Sequence, residues 1–165
     1  MAGTDMPRPQ RFTAGTVGEP GARTFFLQAM YDGELVTLKC EKQQVGALAE
    51  HLAGLLTDLP SPPEHEVIAA DVDFIEPPAA NWVIGRMGVA WDEASRSMVL
   101  LCEQFLAEEE AEAGVEPESA RFRLSVAQVV AFIEIARDLV AAGRPPCYLC
   151  GLPMEPTGHP FPRLN

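Results

Sequence analysis

Two segments with apolar residues at helical spacing constrain the fold of this chain more than any other feature. The first, Gln43–Leu59, ends at Pro60, which cannot continue a helix. The second, Ser125–Gly143, begins with Ser125 and Gln128 in the spacing of a capping box. Each segment carries its apolar residues on one side, so we predict two amphipathic helices that must each bury one face.

The two predicted helices align when the chain is shifted by 84 residues. Gln44 and Val45 then fall on Gln128 and Val129, and three predicted strands precede the helix in each half. Those strands are 12–17, 24–31 and 35–40 in the first half, and 81–91, 97–106 and 121–124 in the second. We therefore predict an α+β fold in which two βββα units form antiparallel sheet or sheets packed on two helices.

The length of 165 residues is typical of one domain with a sizeable core. The first residues contain two prolines and lack an apolar pattern. The C-terminal tail resembles a zinc knuckle. The predicted division is a flexible N-terminal tail 1–11, one domain 12–143 built from pseudo-repeats 12–59 and 81–143 joined by the loop 60–80, and a Cys/His tail 144–165.

Charge and hydropathy exclude several classes of protein. The formal net charge is −12, and a nucleic-acid-binding protein needs a basic surface that this composition does not supply. The sequence has no run of about 18 uncharged apolar residues, and its N-terminus lacks the apolar core of a secretory signal. We therefore expect a cytoplasmic protein that binds neither nucleic acid nor membrane, in which the four cysteines are thiols or metal ligands.

The densest run of charge has two interpretations. It comprises Glu108, Glu109, Glu110, Glu112, Glu116 and Glu118. One interpretation is a docking surface for a basic partner, and the other is a solvated acidic loop, which is the usual state of such runs.

The C-terminal tail contains three candidate metal ligands. Cys147 and Cys150 have the two-residue spacing that lets both thiolates reach one zinc ion, and His159 follows after a Pro- and Gly-bearing stretch. A closed structural zinc site needs four ligands, and Cys40 and Cys102 fall on predicted core strands. Two hypotheses stay open: one zinc ion bound by an incomplete set, or a proline-rich tail with two metal-free thiols.

The catalytic motifs of several enzyme classes are missing from the sequence. It contains neither the Gly-x-Ser-x-Gly elbow of hydrolases, nor a phosphate-binding Gly-x-x-x-x-Gly-Lys loop, nor a His-Glu-x-x-His helix. His51 on the first helix and His65 in a proline-rich loop have no evident catalytic partner. We therefore prefer a non-enzymatic accessory or adaptor protein, which has a protein partner.

The alternative hypothesis is an enzyme or small-molecule binder with a cleft between the two βββα units. Four cations, Arg11, Arg23, Lys42 and Arg86, are the candidates that would converge there on an anionic ligand. A deep pocket lined by these side chains would favour this hypothesis.

Several stretches resemble one known family. They are Phe12–Gly21, Arg23–Gln28, Glu41-Lys42 with Gln44-Val45, and Cys147-x-x-Cys150-Gly151 with Gly158-His159. Together they resemble the uncharacterised bacterial "domain of unknown function 3090" family, which is also called a conserved hypothetical repeat protein. The resemblance spans nearly the whole chain, and it implies no established activity.

The resemblance also has implications for a metal and for partners. The family pattern has a further Cys two residues after the His, where this chain has Phe161, so the ligand set Cys147, Cys150 and His159 is incomplete. Zn²⁺ is the cofactor that this set implies. Members of the family are often encoded near a phosphoinositide-kinase-like protein and a histidine-type phosphatase, which implies a protein partner of one of these kinds.

Overall fold

The computed structural model describes residues 3–19, 21–59, 73–76 and 79–142. These residues form a mixed α+β fold with one seven-stranded sheet, so the α+β class of the predicted fold is confirmed. The strands are β1 Gly3–Met6, β2 Arg11–Val17, β3 Thr24–Tyr31, β4 Glu34–Cys40, β5 Trp82–Asp92, β6 Ser97–Gln104 and β7 Ser119–Leu124. The helices are α1 Lys42–Thr57, α2 Glu108–Glu112 and α3 Val126–Ala141.

The order of strands in the sheet is β1-β7-β6-β5-β4-β3-β2. Two neighbouring pairs are parallel, β4 with β5 and β1 with β7, and the other pairs are antiparallel. The prediction of purely antiparallel sheet is therefore wrong. Parallel neighbours need a long crossover, and the chain between β4 and β5 provides one because it contains α1.

The two edge strands of the sheet are close neighbours in the sequence. Only residues 7–10 separate β1 from β2, so Met6 and Arg11 lie at most about 18 Å apart. In a flat sheet of seven strands the outermost strands would be about 29 Å apart. The sheet must therefore curl, and the N-terminal segment pairs with β7 through β1 and with β3 through β2.

An aromatic cluster fills the concave side of the curled sheet. The Phe12 ring on β2 lies 5.5 Å from the Phe122 ring on β7 and 5.0 Å from the Phe132 ring on α3, measured between centroids. All three side chains are buried. Strands from opposite parts of the sheet and one helix thus share a single core, which α1 and α3 cover together.

Local sequence signals for turns and caps are confirmed. The β3–β4 hairpin turns through Asp32 and Gly33, which both have positive φ as a tight two-residue turn requires. At the start of α3 the Ser125 hydroxyl accepts from the backbone N–H of Gln128, and the Gln128 side chain accepts from the N–H of Ser125. The predicted capping box is therefore present.

Two segments differ from the prediction. Residues 3–6 form a strand rather than part of a frayed tail, because backbone pairing with β7 aligns Met6 with Phe122 and buries it. A single apolar residue among polar neighbours gives no strand periodicity, so the sequence pattern did not reveal β1. Within the acidic run, residues Glu108–Glu112 form the short helix α2 instead of a loop.

The burial of β1 leads to a stability prediction. Met6→Ala should lower the free energy of unfolding by about 2–5 kcal/mol, because it leaves a cavity between β1 and the core. Urea unfolding measures the change, and Arg8→Ala at an exposed position of the same segment is the control. A loss no larger than that of the control would mean that residues 3–6 do not belong to the core.

Candidate binding surfaces

The register of the sheet separates Arg11 from the other predicted anion-binding cations. Arg11 pairs with Met30 at one end of the β2–β3 ladder, whereas Arg23 adjoins the pair Val17–Thr24 at the other end. Six residues of extended strand correspond to about 20 Å. The structure therefore does not bring Arg11 and Arg23 together.

The other two predicted cations lie towards the same end of the sheet as Arg23. Cys40 pairs with Phe25, so Lys42 lies two residues beyond the end of β4 next to the start of β3. Arg86 on β5 is largely exposed and forms an ion pair with Glu103 at 3.0 Å. A carboxylate thus already neutralises the Arg86 guanidinium.

A buried glutamine holds the short segment 73–76 against the face of the sheet that carries no helix. The Gln28 amide nitrogen donates to the Ile75 carbonyl at 2.8 Å and to the Thr37 hydroxyl at 3.1 Å. Its amide oxygen accepts from the Ile75 N–H at 2.9 Å. The Gln28 side chain therefore forms with Ile75 the two backbone hydrogen bonds that a neighbouring strand would form. It is buried, with 1% of its surface exposed.

Glycine and aromatic residues complete the cover over this half of the sheet. The Phe74 ring stacks on the Phe26 ring with centroids 6.1 Å apart. A Cβ at Gly15 would overlap the Phe74 ring, so glycine is required at that position of β2. Gln28 was not among the predicted functional residues, although a polar side chain between Leu27 and Ala29 in an apolar strand was a visible signal.

The Gln28 contacts lead to a second stability prediction. Gln28→Leu should lower the free energy of unfolding by about 1–3 kcal/mol, because two backbone groups of Ile75 lose their partner. Hydrogen exchange of the Ile75 amide should also become faster. Gln43→Leu on the exposed side of α1 is the matched control. An unchanged exchange rate of the Ile75 amide would contradict the proposed role of the Gln28 side chain in holding this segment.

The same face of the sheet is open in the second half of the chain. Val83, Leu101 and Phe105 are 41%, 48% and 61% exposed, and the Phe105 N–H donates to the Val83 carbonyl at 2.7 Å. We call these three residues the open patch. Helix α2, in which all five residues are exposed, begins three residues after Phe105. The patch therefore combines apolar surface with a neighbouring acidic helix.

Polar side chains form a cluster at the β5–β6 turn. The Arg123 guanidinium donates to Asp92 and to the Ser95 hydroxyl, and Ser95 donates to Asp92 at 2.7 Å. Hydrogen bonds from Ser95 and then from Arg123 lower the pKa of the Asp92 carboxyl. A carboxylate with a lowered pKa is a poor general base, so this cluster holds the turn rather than activating Ser95.

The two cysteines on the strands are buried thiols, as predicted. Cys40 ends β4 and Cys102 lies in β6, both within the core. Burial raises the pKa of each thiol to about 12. The thiolate is the reactive form of cysteine, so neither thiol is an effective nucleophile near neutral pH.

A cavity of about 150 Å³ lies between α1 and β5. Ala47, Leu48 and His51 line it from the helix, and Met87 and Val89 line it from the strand. It therefore lies between the two halves of the chain, but its walls are mainly apolar and do not include the four predicted cations.

The predicted metal ligands Cys147, Cys150 and His159, together with Phe161, lie outside the described residues. Within the described part of the chain, no three His, Cys, Asp or Glu side chains are grouped as a metal site requires. In that same part, each helix is too short or too polar to cross a membrane.

Comparison with known proteins identifies one relationship. The profile of a family described as "Protein of unknown function (DUF3090)" matches residues 5–160, which is most of the chain. No curated protein and no solved structure matches the sequence.

Proposed function

Because the chain belongs to the DUF3090 family of proteins of unknown function, we propose its role from the structure: a non-enzymatic accessory protein that binds a protein partner in the cytoplasm. The observation that carries this proposal is the open patch of Val83, Leu101 and Phe105. Val83 and Phe105 are joined through their backbones, whereas Leu101 lies farther along the sheet beyond the Arg86–Glu103 ion pair. Exposed apolar side chains on one face of a sheet mark interaction surfaces, and aromatic residues are frequent anchors in such interfaces.

The charge of the surroundings indicates the chemistry of the partner. Helix α2 places Glu108, Glu109, Glu110 and Glu112 beside the open patch, and the whole chain has a net charge of −12. Two copies of such a chain repel each other, whereas a basic protein is attracted. The expected partner therefore presents an apolar contact flanked by lysine or arginine.

The chemistry of the described polar groups supports a role without catalysis. Cys40 and Cys102 are held as thiols, and Asp92 is engaged by Arg123 and Ser95. Each is an unsuitable nucleophile or base. The sequence also lacks the motifs of the main hydrolase and nucleotide-binding classes.

The alternative of an anionic-ligand cleft has less support. Arg11 lies at the opposite end of the β2–β3 ladder from Arg23, and Arg86 is paired with Glu103. The Glu103 carboxylate would repel an anionic ligand that approached Arg86.

We also propose that the two halves are copies of one βββα unit. The four buried residues of α1, Val45, Leu48, Ala49 and Leu52, each lie 84 positions before a buried residue of α3. The parallel contacts agree with this proposal, since Leu38 pairs with Trp82 and the corresponding Phe122 pairs with Met6. In this scheme each unit ends in a helix that covers the shared core.

Partner binding can be tested by photocrosslinking. Replacement of Phe105 by p-benzoylphenylalanine should give a covalent adduct with one protein, and the same replacement of the exposed Glu134 on α3 is the control. A phosphoinositide-kinase-like protein and a histidine-type phosphatase are the first candidates to test. With the purified partner, Phe105→Ala should weaken binding by about 10-fold or more, because an aromatic anchor is lost.

Charge variants test the acidic part of the same surface. Joint replacement of Glu108, Glu109 and Glu110 by Gln should slow association and reduce its dependence on salt. The proposal fails if no protein is crosslinked at position 105 beyond the control at position 134.

The C-terminal tail supports a separate proposal about metal. Cys147, Cys150 and His159 would bind Zn²⁺ weakly, with water, Glu155 or another chain as the fourth ligand, because Phe161 stands where the family pattern has a Cys. Structural zinc sites use four protein ligands, and each missing thiolate removes an anionic donor.

The zinc proposal predicts that a chelator removes the metal without unfolding the core. Metal analysis before and after chelator treatment, with thermal melts of both samples, measures this. His159→Ala should lower the zinc content and leave the melting temperature unchanged. Tightly retained stoichiometric zinc, or collapse of the fold when zinc is removed, would contradict the proposal.

A further inference from the structure

The contact of α1 with β5, which contains the cavity, resembles the contact of α3 with β2. In each, the side-chain amide of a glutamine near the start of the helix approaches a backbone carbonyl. The Gln128 amide donates to the Pro9 carbonyl at 2.7 Å, and the Gln44 amide lies 3.4 Å from the Ile84 carbonyl and 3.5 Å from the Gly85 carbonyl. Gln44 and Gln128 are the third residues of their helices. Gln44 thus contacts the backbone of β5, and Gln128 contacts the backbone of the connection 7–10 just before β2.

The side chains that pack between helix and strand differ in size between the two contacts. Phe12 comes three residues after Pro9, and its ring contacts Phe132 of α3 at 5.0 Å between centroids. Met87 lies on the core side of β5, as Phe12 does on β2, and Leu48 occupies the position on α1 that Phe132 occupies on α3 when the chain is shifted by 84 residues. Where the α3 contact has two aromatic rings, the α1 contact has two aliphatic side chains.

This difference in size accounts for the cavity. Phe12 and Phe132 are fully buried against each other, whereas Met87 is only half-buried and about 150 Å³ stays open beside Leu48. The longer Gln44 hydrogen bond also indicates that α1 sits less closely on its strand than α3 does. The space that aromatic rings fill on one side of the molecule is therefore open on the other.

We propose that this cavity is a binding site for a single six-membered aromatic ring that carries one hydrogen-bonding substituent. The cavity is open to solvent on one side, and its volume of about 150 Å³ has room for one ring, since an enclosed protein cavity of roughly that size accepts benzene, whereas drug-sized ligands need about 300 Å³ or more. The Met87 thioether, Leu48 and Val89 provide apolar walls, and thioethers make favourable contacts with aromatic rings.

The imidazole of His51 determines where the polar substituent points. His51 lies three residues after Leu48 on α1, lines the cavity and is exposed to solvent. An imidazole can donate to or accept from a hydroxyl group. A ring that inserts between Leu48 and Met87 would therefore direct its substituent towards His51 and the solvent.

The binding test uses p-cresol as the probe and methyl resonances of the full chain as the readout. Addition of p-cresol should shift the methyl signals of Leu48, Met87 and Val89 in a saturable way. The saturated compound 4-methylcyclohexanol, which is of similar size, should bind at least several-fold more weakly. Absence of saturable shifts at these three residues would overturn the proposal.

Two variants close the cavity, and a third controls for stability. Leu48→Phe should fill the space as Phe132 does, raise the melting temperature and abolish the p-cresol shifts. Ala47→Leu obstructs the cavity from an exposed position, so it tests the site even if Leu48→Phe fails to fold. Gly54→Ala, where a Cβ meets open space, should raise the melting temperature and leave p-cresol binding unchanged.

A second probe distinguishes a ring on another polypeptide from a ring in a free small molecule. N-acetyl-L-tyrosine amide carries the same ring on a piece of backbone. Binding comparable to that of p-cresol assigns the site to an aromatic side chain of another polypeptide, and exclusion of this probe assigns it to a free monocyclic compound. Persistence of the p-cresol shifts in both Leu48→Phe and Ala47→Leu would overturn the site itself. The result is independent of crosslinking at Phe105, which concerns the opposite face of the sheet.

Discussion

The short connection between the two edge strands is the constraint on which the rest of the structure depends. Because only residues 7–10 separate β1 from β2, a seven-stranded sheet cannot lie flat and must curl around its core. The curl brings Phe12 next to Phe122 although they are 110 positions apart in the chain. It also leaves one concave side for both long helices.

The face of the curled sheet that carries no helix is covered in the first half of the chain and exposed in the second half. In the first half Gln28 binds the backbone of Ile75 and the Phe74 ring packs over Gly15, so buried polar groups are satisfied beneath a cover. In the second half Leu101 and Phe105 are exposed beside an acidic helix. Similar strands therefore serve as core in one half and as a candidate interface in the other.

The concave side shows the same kind of asymmetry. Aromatic rings complete the contact between α3 and β2, whereas Leu48 and Met87 leave a cavity between α1 and β5. The surfaces that we propose as binding sites are thus marked by differences between similarly built parts of the two halves rather than by a cluster of reactive groups.

Local chemistry along the chain was sufficient to predict the elements that form from near neighbours. The apolar stripes of α1 and α3, the capping box at Ser125 and the Asp32-Gly33 hairpin each depend on residues a few positions apart, so a single sequence reveals them. The strand β1, the parallel pairing of β4 with β5 and the clamp of Gln28 on Ile75 depend on contacts across dozens of residues. Only the tertiary structure decided these, because nothing local in Met6 or Gln28 specifies which distant backbone will satisfy and bury it.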